Sequence, residues 1–109
     1  MISLEKKVRI SNLYFFYGKL LTEKQNTVIN LYYNEDTSLG EIASLLQITR
    51  QAVKDCLKKA EITLESAESK LKTAERFILI KNTLNDCIKS TEDEIVKQKL
   101  INLSESLEE

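Results

Sequence analysis

The sequence predicts an all-α protein, and composition and apolar spacing together support that prediction. The 109 residues include no proline and only two glycines, so the residues that most often interrupt helices are nearly absent. Apolar residues recur at intervals of three and four along most of the chain, the spacing that places them on one face of a helix. Because a chain of this length forms one modest core, we expect a single helical domain over 1–109.

The first predicted helix lies between residues 4 and 21, and Gly18 falls at or near its last turn. Its apolar stripe consists of Ile10, Leu13, Tyr14, Tyr17 and Leu21. Thr22 and Gln25 then form a capping box, in which each side chain satisfies a free backbone amide at the start of a helix. The second predicted helix follows this box and ends near residues 34–36. Its inward-facing residues are predicted to be Val28, Leu31 and Tyr32.

Residues 38–61, SLGEIASLLQITRQAVKDCLKKAE, have the pattern of a helix-turn-helix. Ser38 and Glu41 form a second capping box. The short apolar stripe after the box consists of Leu39, Ile42, Ala43 and Leu46. Ile48 lies in the predicted turn, and Thr49 is placed to cap the next helix. Ala43 is the small residue expected where the two helices approach each other closely.

The fourth predicted helix carries a heptad seam, because its apolar residues alternate at intervals of four and three from Val53 onward. The seam continues through Leu57, Ala60, Leu64, Ala67, Leu71, Ala74 and Ile78. Such a seam indicates packing against other helices, and helices one and five of the same chain are about as good a candidate as a second protomer. Because the seam and the other apolar residues, among them Val8, Phe15 and Phe16, exceed what 109 residues can bury, we predict a homodimer joined along the seam.

A helical hairpin is predicted for the C-terminal extension, at about 77–109. The stretch FILI at 77–80 is apolar on every side, and "KST" at 89–91 interrupts the helix that follows from it. Thr91 and Glu94 are predicted to form a third capping box before the last helix. The two facing stripes consist of Phe77, Ile80, Leu84 and Ile88 in the first helix and of Val96, Leu100, Leu103 and Leu107 in the second.

Composition argues against several classes of function. The chain has no histidine and no glycine-rich phosphate loop, and Cys56 and Cys87 have no metal-ligand spacing, so we expect no enzyme, no metal and no cofactor. No segment reaches the length of about 20 apolar residues that a membrane span needs, and we expect a soluble cytoplasmic protein. Residues 1–60 contain nine Lys and Arg against six Asp and Glu, whereas 61–109 contain seven against eleven. An anion site is therefore expected in the first 60 residues.

The second helix of the motif could face a nucleic acid or another partner with Arg50, Gln51, Lys54, Lys58 and Lys59. Glutamine suits adenine, and lysine suits phosphate or guanine. Asp55 stands in the middle of this face, where phosphate would repel it, although it could accept a hydrogen bond from a cytosine amino group. A solvated face without a partner is an equally good interpretation of the same residues.

Three stretches of the chain resemble the YlxM family of small bacterial helix-turn-helix proteins. They are LEKKVRISNLYFFYGKLLTEKQ, LYYNEDTSLGEIASLLQITRQAVKDCLKKAE and LESAESKL. They agree with the family in order and spacing over roughly Leu4 to Leu71. The segment 38–61 is also similar to the promoter-reading region four of bacterial sigma factors.

The resemblance implies a sigma-region-four-like fold and a regulatory part in the signal recognition particle pathway, which targets nascent membrane and secreted proteins. It also implies that Thr49, Arg50, Gln51 and Lys54 begin the recognition helix. Lys54 departs from the family, in which relatives tend to have an aromatic residue, and the hairpin rests on periodicity alone. Two functions follow: a regulator that binds protein or RNA components of the particle, which the charge favours, or a DNA-binding transcription regulator.

Overall fold

A computed structural model describes residues 3–108, which contain six α-helices and no strand. The predicted all-α fold class is therefore confirmed. In chain order the helices are α1 (Leu4–Tyr17), α2 (Glu23–Ile29), α3 (Leu39–Leu46), α4 (Arg50–Leu71), α5 (Thr73–Ser90) and α6 (Glu94–Ser106). A 3₁₀ turn at Gly18–Leu20 follows α1, and a π-helical turn at Asn30–Asn34 follows α2. Within these residues, no helix is long and apolar enough to cross a membrane.

The chain divides into two compact units, Met1–Lys72 and Thr73–Glu109. The first unit holds α1 to α4 with the helix-turn-helix, and the second holds α5 and α6. Residues 1, 2 and 109 of the predicted domain lie outside the described residues. One domain over 1–109 with an extension from about 77 stays a prediction.

In the first unit, α1, α2 and α3 pack against α4 and bury its apolar stripe. Val53, Ala60 and Leu64 are fully inaccessible, and Leu57 and Ala67 are also buried. The seam is thus covered within the chain from Val53 to Ala67, so a second protomer is not needed there. The covering helices include α2, which the sequence did not indicate as a partner of the seam.

The seam does not continue along one helix to Ile78, contrary to the sequence-based expectation. Lys72 has a left-handed backbone (φ 54°), and its N–H donates to the Glu68 carbonyl at 2.8 Å, which ends α4 at Leu71. Ala74 and Ile78 therefore belong to α5. Helix ends of this kind usually have glycine or asparagine at the left-handed position, and lysine there gave no signal in the sequence.

The inward face of the chain after α2 also differs from the prediction. Val28 is buried as expected, but Leu31 and Tyr32 are only half-buried, and Tyr33 is the residue in the core, with 1% of its surface exposed. The π-helical turn explains the difference, because its hydrogen bonds reach five residues along the chain and move the buried face by one position.

The second unit is the predicted hairpin of two packed helices, α5 and α6. The predicted capping box at Thr91 and Glu94 is wrong: Asp93 caps α6, accepting hydrogen bonds from the backbone N–H groups of Ile95 (2.9 Å) and Val96 (3.2 Å). Asp93 prevails because its carboxylate reaches two free amides from the residue adjoining the helix.

The α6 stripe is also shifted from its predicted position. Val96 (42%) and Leu103 (49%) are exposed, whereas Ser104 is buried. Lys81 of α5 explains the buried serine, because its Nζ donates to Ser104 Oγ (2.9 Å) and pairs with Glu108 Oε1 (2.6 Å). The buried residue in this part of α6 is therefore Ser104, one position after the predicted Leu103, and its contact with α5 is polar.

Candidate nucleic-acid interface

The helix-turn-helix is built by two side-chain caps around a left-handed turn residue. Ser38 Oγ accepts from the N–H of Glu41 (3.1 Å), and the Glu41 side chain accepts from the N–H of Ser38 (3.3 Å), which confirms the predicted box. Gln47 (φ 56°) ends α3. Thr49 Oγ1 then accepts from the N–H of Ala52 (3.0 Å) and begins α4, as predicted. These local contacts fix the point at which α4 leaves the turn.

Arg50 lies against the start of α3. A Cβ atom added to Gly40 would be 2.8 Å from Arg50 Nη2 and 3.1 Å from Arg50 Nε, so glycine leaves the space that the guanidinium occupies. Thr49 and Arg50, two predicted contact residues, thus also serve the α3–α4 junction.

Three of the other predicted contact residues line one groove of about 720 Å³: Gln51, Lys54 and Lys58. Residues from elsewhere in the unit also line it, namely Lys6 of α1 and the adjacent Tyr32 and Tyr33 of the π-helical turn. We call this cleft the α1–α4 groove. Leu39 and Leu57 add apolar surface to it.

Lys59 is not among the residues that line the α1–α4 groove. It lies near Cys56, where its charge and that of Lys24 act to lower the thiol pKa. Burial is the larger effect, however, and raises the pKa of Cys56. Of the three predicted contact lysines of α4, the groove lining therefore includes Lys54 and Lys58 but not Lys59.

Two carboxylates also line the groove, and each has a partner within it. Asp55 Oδ1 accepts from Gln51 Nε2 at 2.9 Å. Glu61 Oε1 pairs with Lys6 Nζ at 3.0 Å and accepts from the Tyr33 hydroxyl at 2.8 Å. Burial, with this hydrogen bond second, raises the pKa of Tyr33.

The two lysines of α4 in the groove are less engaged than these carboxylates. Across residues 3–108, neither Lys54 nor Lys58 forms an ion pair, and both are exposed. The groove therefore presents two available ammonium groups next to a polar Gln51–Asp55 pair.

Polar contacts hold α1 beside α4 and so place Lys6 at the groove. The Arg9 guanidinium donates two hydrogen bonds to Glu65, at 2.7 and 2.6 Å, and these bonds raise the pKa of Arg9. The Tyr17 hydroxyl donates to Glu68 Oε1 at 2.7 Å. Three carboxylates of one α4 face, at 61, 65 and 68, thus bind α1 and the π-helical turn.

Sequence analysis missed Lys6 and Tyr32 because both lie far along the chain from α4. The adjacent tyrosines at 32 and 33 were a usable signal, since neighbouring positions cannot both face the core. For metals, the side chains described between residues 3 and 108 form no group of three or more acidic or thiol ligands.

Comparison with known proteins places the chain in a family. The family model described as "Putative helix-turn-helix protein, YlxM / p13 like" (UPF0122) matches residues 4–105. The chain belongs to the UPF0122 family. The match includes the hairpin and so extends beyond the stretch from Leu4 to Leu71 on which the resemblance rests.

Individual UPF0122 members are similar over nearly the whole chain. A UPF0122 protein of Limosilactobacillus reuteri (strain DSM 20016) is 42% identical, covering 99% of this chain and 99% of its own. UPF0122 protein YlxM of Bacillus subtilis (strain 168) is 39% identical, covering 98% and 97% respectively. A UPF0122 protein of Oceanobacillus iheyensis is 50% identical over a shorter stretch, 68% of this chain and 70% of its own.

Proposed function

We propose that this chain is a non-enzymatic regulatory protein of the cytoplasm, whose helix-turn-helix binds a protein or RNA component of the signal recognition particle pathway. Family membership supports a helix-turn-helix role, and the resemblance to YlxM proteins supports the pathway. The observation that carries the proposal is the position of Gln51, Lys54 and Lys58 in the α1–α4 groove, which mixes cations, carboxylates and apolar surface.

This mixture favours a partner that offers more than phosphate. A protein that reads duplex DNA neutralises several phosphates, and each such contact makes its affinity fall with salt. Here only Lys54 and Lys58 are available cations in the groove, and Asp55 lies beside them. Leu39 and Leu57 supply apolar contacts that salt does not weaken.

The proposal is tested by capture of purified signal recognition particle protein and of its RNA, each on its own, by the immobilised chain. The variant Lys54→Glu/Lys58→Glu should lose the captured component while its helicity stays unchanged, because both side chains are exposed. Lys59→Glu is the control, since it reverses one lysine charge outside the groove lining, as each of the two substitutions does within it. Failure to capture either component, or capture by the double variant equal to that of the unchanged chain, contradicts the proposal.

A DNA-binding transcription regulator is the second candidate, because Gln51 and Lys54 lie in the first turns of the second helix of the motif. For this candidate, selection from a random duplex library should return one enriched sequence that is bound at nanomolar concentration in about 0.15 M salt. We expect instead weak binding to duplex DNA that is indifferent to sequence and disappears near that salt concentration.

A further inference from the structure

We infer that the α1–α4 groove binds a nucleotide of a single-stranded nucleic acid, whose base stacks on Tyr32 while its phosphate contacts Lys54 and Lys58. The inference rests on the proposed function and assigns the ligand chemistry of the same site. RNA and DNA strands share this chemistry, and the experiment below separates them.

Tyr32 offers an aromatic surface that the core holds in place. Its ring is 5.1 Å from the ring of Tyr33, at an interplanar angle of 89°. Tyr33 is itself fixed, because it is 1% exposed and its hydroxyl donates to Glu61. Tyr32 is only half-buried and lines the groove. Such an anchored ring loses little freedom when a base stacks on it, and stacking tolerates every base.

The polar groups of the groove suit the rest of a nucleotide. Lys54 and Lys58 form no ion pair within the described chain and can bind a phosphate. The charge of Asp55 would repel the phosphates of a duplex. Its second carboxylate oxygen can, however, accept a hydrogen bond from the exocyclic amino group of an unpaired base. Its partner Gln51 adds an amide carbonyl on the same side. The carboxylate that argues against duplex DNA is therefore compatible with an unpaired base.

The shape of the site also favours one strand over two. A duplex is read when a helix enters its major groove, and here Lys6 and Tyr32 stand beside the contact face of α4. A cleft of about 720 Å³ lies in the size range of small-ligand sites. Single strands are usually recognised in this way, with bases splayed onto aromatic side chains.

Fluorescence anisotropy of labelled 12-residue oligouridine RNA, oligothymidine DNA and a duplex of equal length tests the inference. In about 0.05 M salt we expect one or both single strands to bind at least tenfold more tightly than the duplex. The chain has four tyrosines and no tryptophan, so stacking should also quench tyrosine emission, after correction for absorption by the oligonucleotide. The two strands distinguish an RNA ligand from a DNA ligand.

Matched variants locate the binding. Tyr32→Leu should weaken binding about tenfold, the effect of losing one stacked base. Tyr32→Phe should keep the affinity and reduce the quench. Lys54→Gln/Lys58→Gln should weaken binding and lower its dependence on salt, whereas Lys59→Gln should change neither. If circular dichroism shows that Tyr32→Leu does not fold, the inference is tested by the affinity of the double lysine variant and by the tyrosine quench in Tyr32→Phe.

Two results overturn the inference: duplex binding as tight as single-strand binding, or affinity unchanged in Tyr32→Leu and in the double lysine variant. Neither result contradicts the proposed function, because capture of a signal recognition particle protein by the groove is measured in a separate experiment. Conversely, single-strand binding without capture of any particle component would uphold the inference and contradict the proposed function.

Discussion

Glu61 joins the core of the first unit to its groove. One carboxylate oxygen accepts from the buried Tyr33 hydroxyl and also pairs with Lys6 at the groove. The Glu61 side chain is 21% exposed, so it is partly shielded from solvent but still in contact with it. A change at Tyr33 should therefore alter both the stability of the unit and the position of Lys6.

Tyr33→Phe should lower the free energy of unfolding by about 1.5 kcal/mol, because the variant removes a hydrogen bond to a charged acceptor. Urea denaturation followed by circular dichroism measures this. Tyr32→Phe is the control, since its hydroxyl has no hydrogen-bond partner within residues 3–108, and it should stay within about 0.5 kcal/mol. Equal stability of the two variants would show that the Tyr33–Glu61 bond contributes little.

The raised pKa of Tyr33 predicts a dependence on alkaline pH. The unfolded chain ionises its tyrosines near their ordinary pKa of about 10, whereas Tyr33 resists ionisation when folded. Its contribution is therefore complete below about pH 10 and is lost as pH rises toward the folded pKa. We expect the free energy of unfolding to fall less steeply above that pH in Tyr33→Phe. Parallel curves for both proteins would contradict this expectation.

At the scale of helices, the cap of α6 can be tested directly. Asp93→Ala should lower the stability of the second unit by about 1 kcal/mol, because two backbone amides lose their acceptor. Glu94→Ala should change the stability little if Glu94 has no part in the cap. The melting temperatures of the two variants provide the measurement. A larger loss in Glu94→Ala would restore the capping box that the sequence predicts.

The end of α4 gives a second test at this scale. Lys72→Gly should raise the stability by about 0.5–1 kcal/mol, since glycine adopts a left-handed backbone without the penalty of a side chain. Lys70→Gly, within the last turn of the same helix, should lower stability by about 1 kcal/mol. Thermal unfolding compares the pair. A loss of stability in both variants would indicate that residue 72 is helical in solution.

The ends of a helix could be predicted where the residues that determine them lie close together in the sequence. The boxes at Thr22 and Ser38 and the cap at Thr49 involve residues three apart, and sequence analysis found all of them. Neither the π-helical turn nor the left-handed Lys72 has a glycine or proline that marks it, so the periodicity of the sequence predicts a continuous helix through both. The groove joins segments that are far apart in the chain, and only folding brings these segments together.

At the scale of the molecule, several large apolar side chains of the second unit remain about half exposed or more. In α5 these are Ile78 (49%), Leu79 (66%) and Ile80 (50%), and in α6 Ile95 reaches 71%. Exposed apolar clusters of this kind mark association surfaces in soluble proteins. The homodimer thus stays a prediction, now with these helices as its expected interface in place of the seam from Leu57 to Ala67, which the chain covers itself.

Light scattering at micromolar concentration should give twice the chain mass of 12.5 kDa. Leu79→Lys should shift the protein toward the monomer, because it places a charge in the proposed interface. Leu4→Lys makes the same change at a site 76% exposed in α1 and should leave the mass unchanged. A mass of one chain for the unaltered protein would contradict the homodimer.

The π-helical turn divides two identical neighbours between different tasks. Because the turn holds one more residue than an α-helical turn would, Tyr33 enters the core beneath the groove, whereas Tyr32 stays half-buried at its surface. Deleting one residue of this turn other than the two tyrosines should restore the ordinary helical register while keeping both phenol side chains. We therefore expect a one-residue insertion or deletion in this short segment to change which tyrosine faces the groove while the fold stays the same.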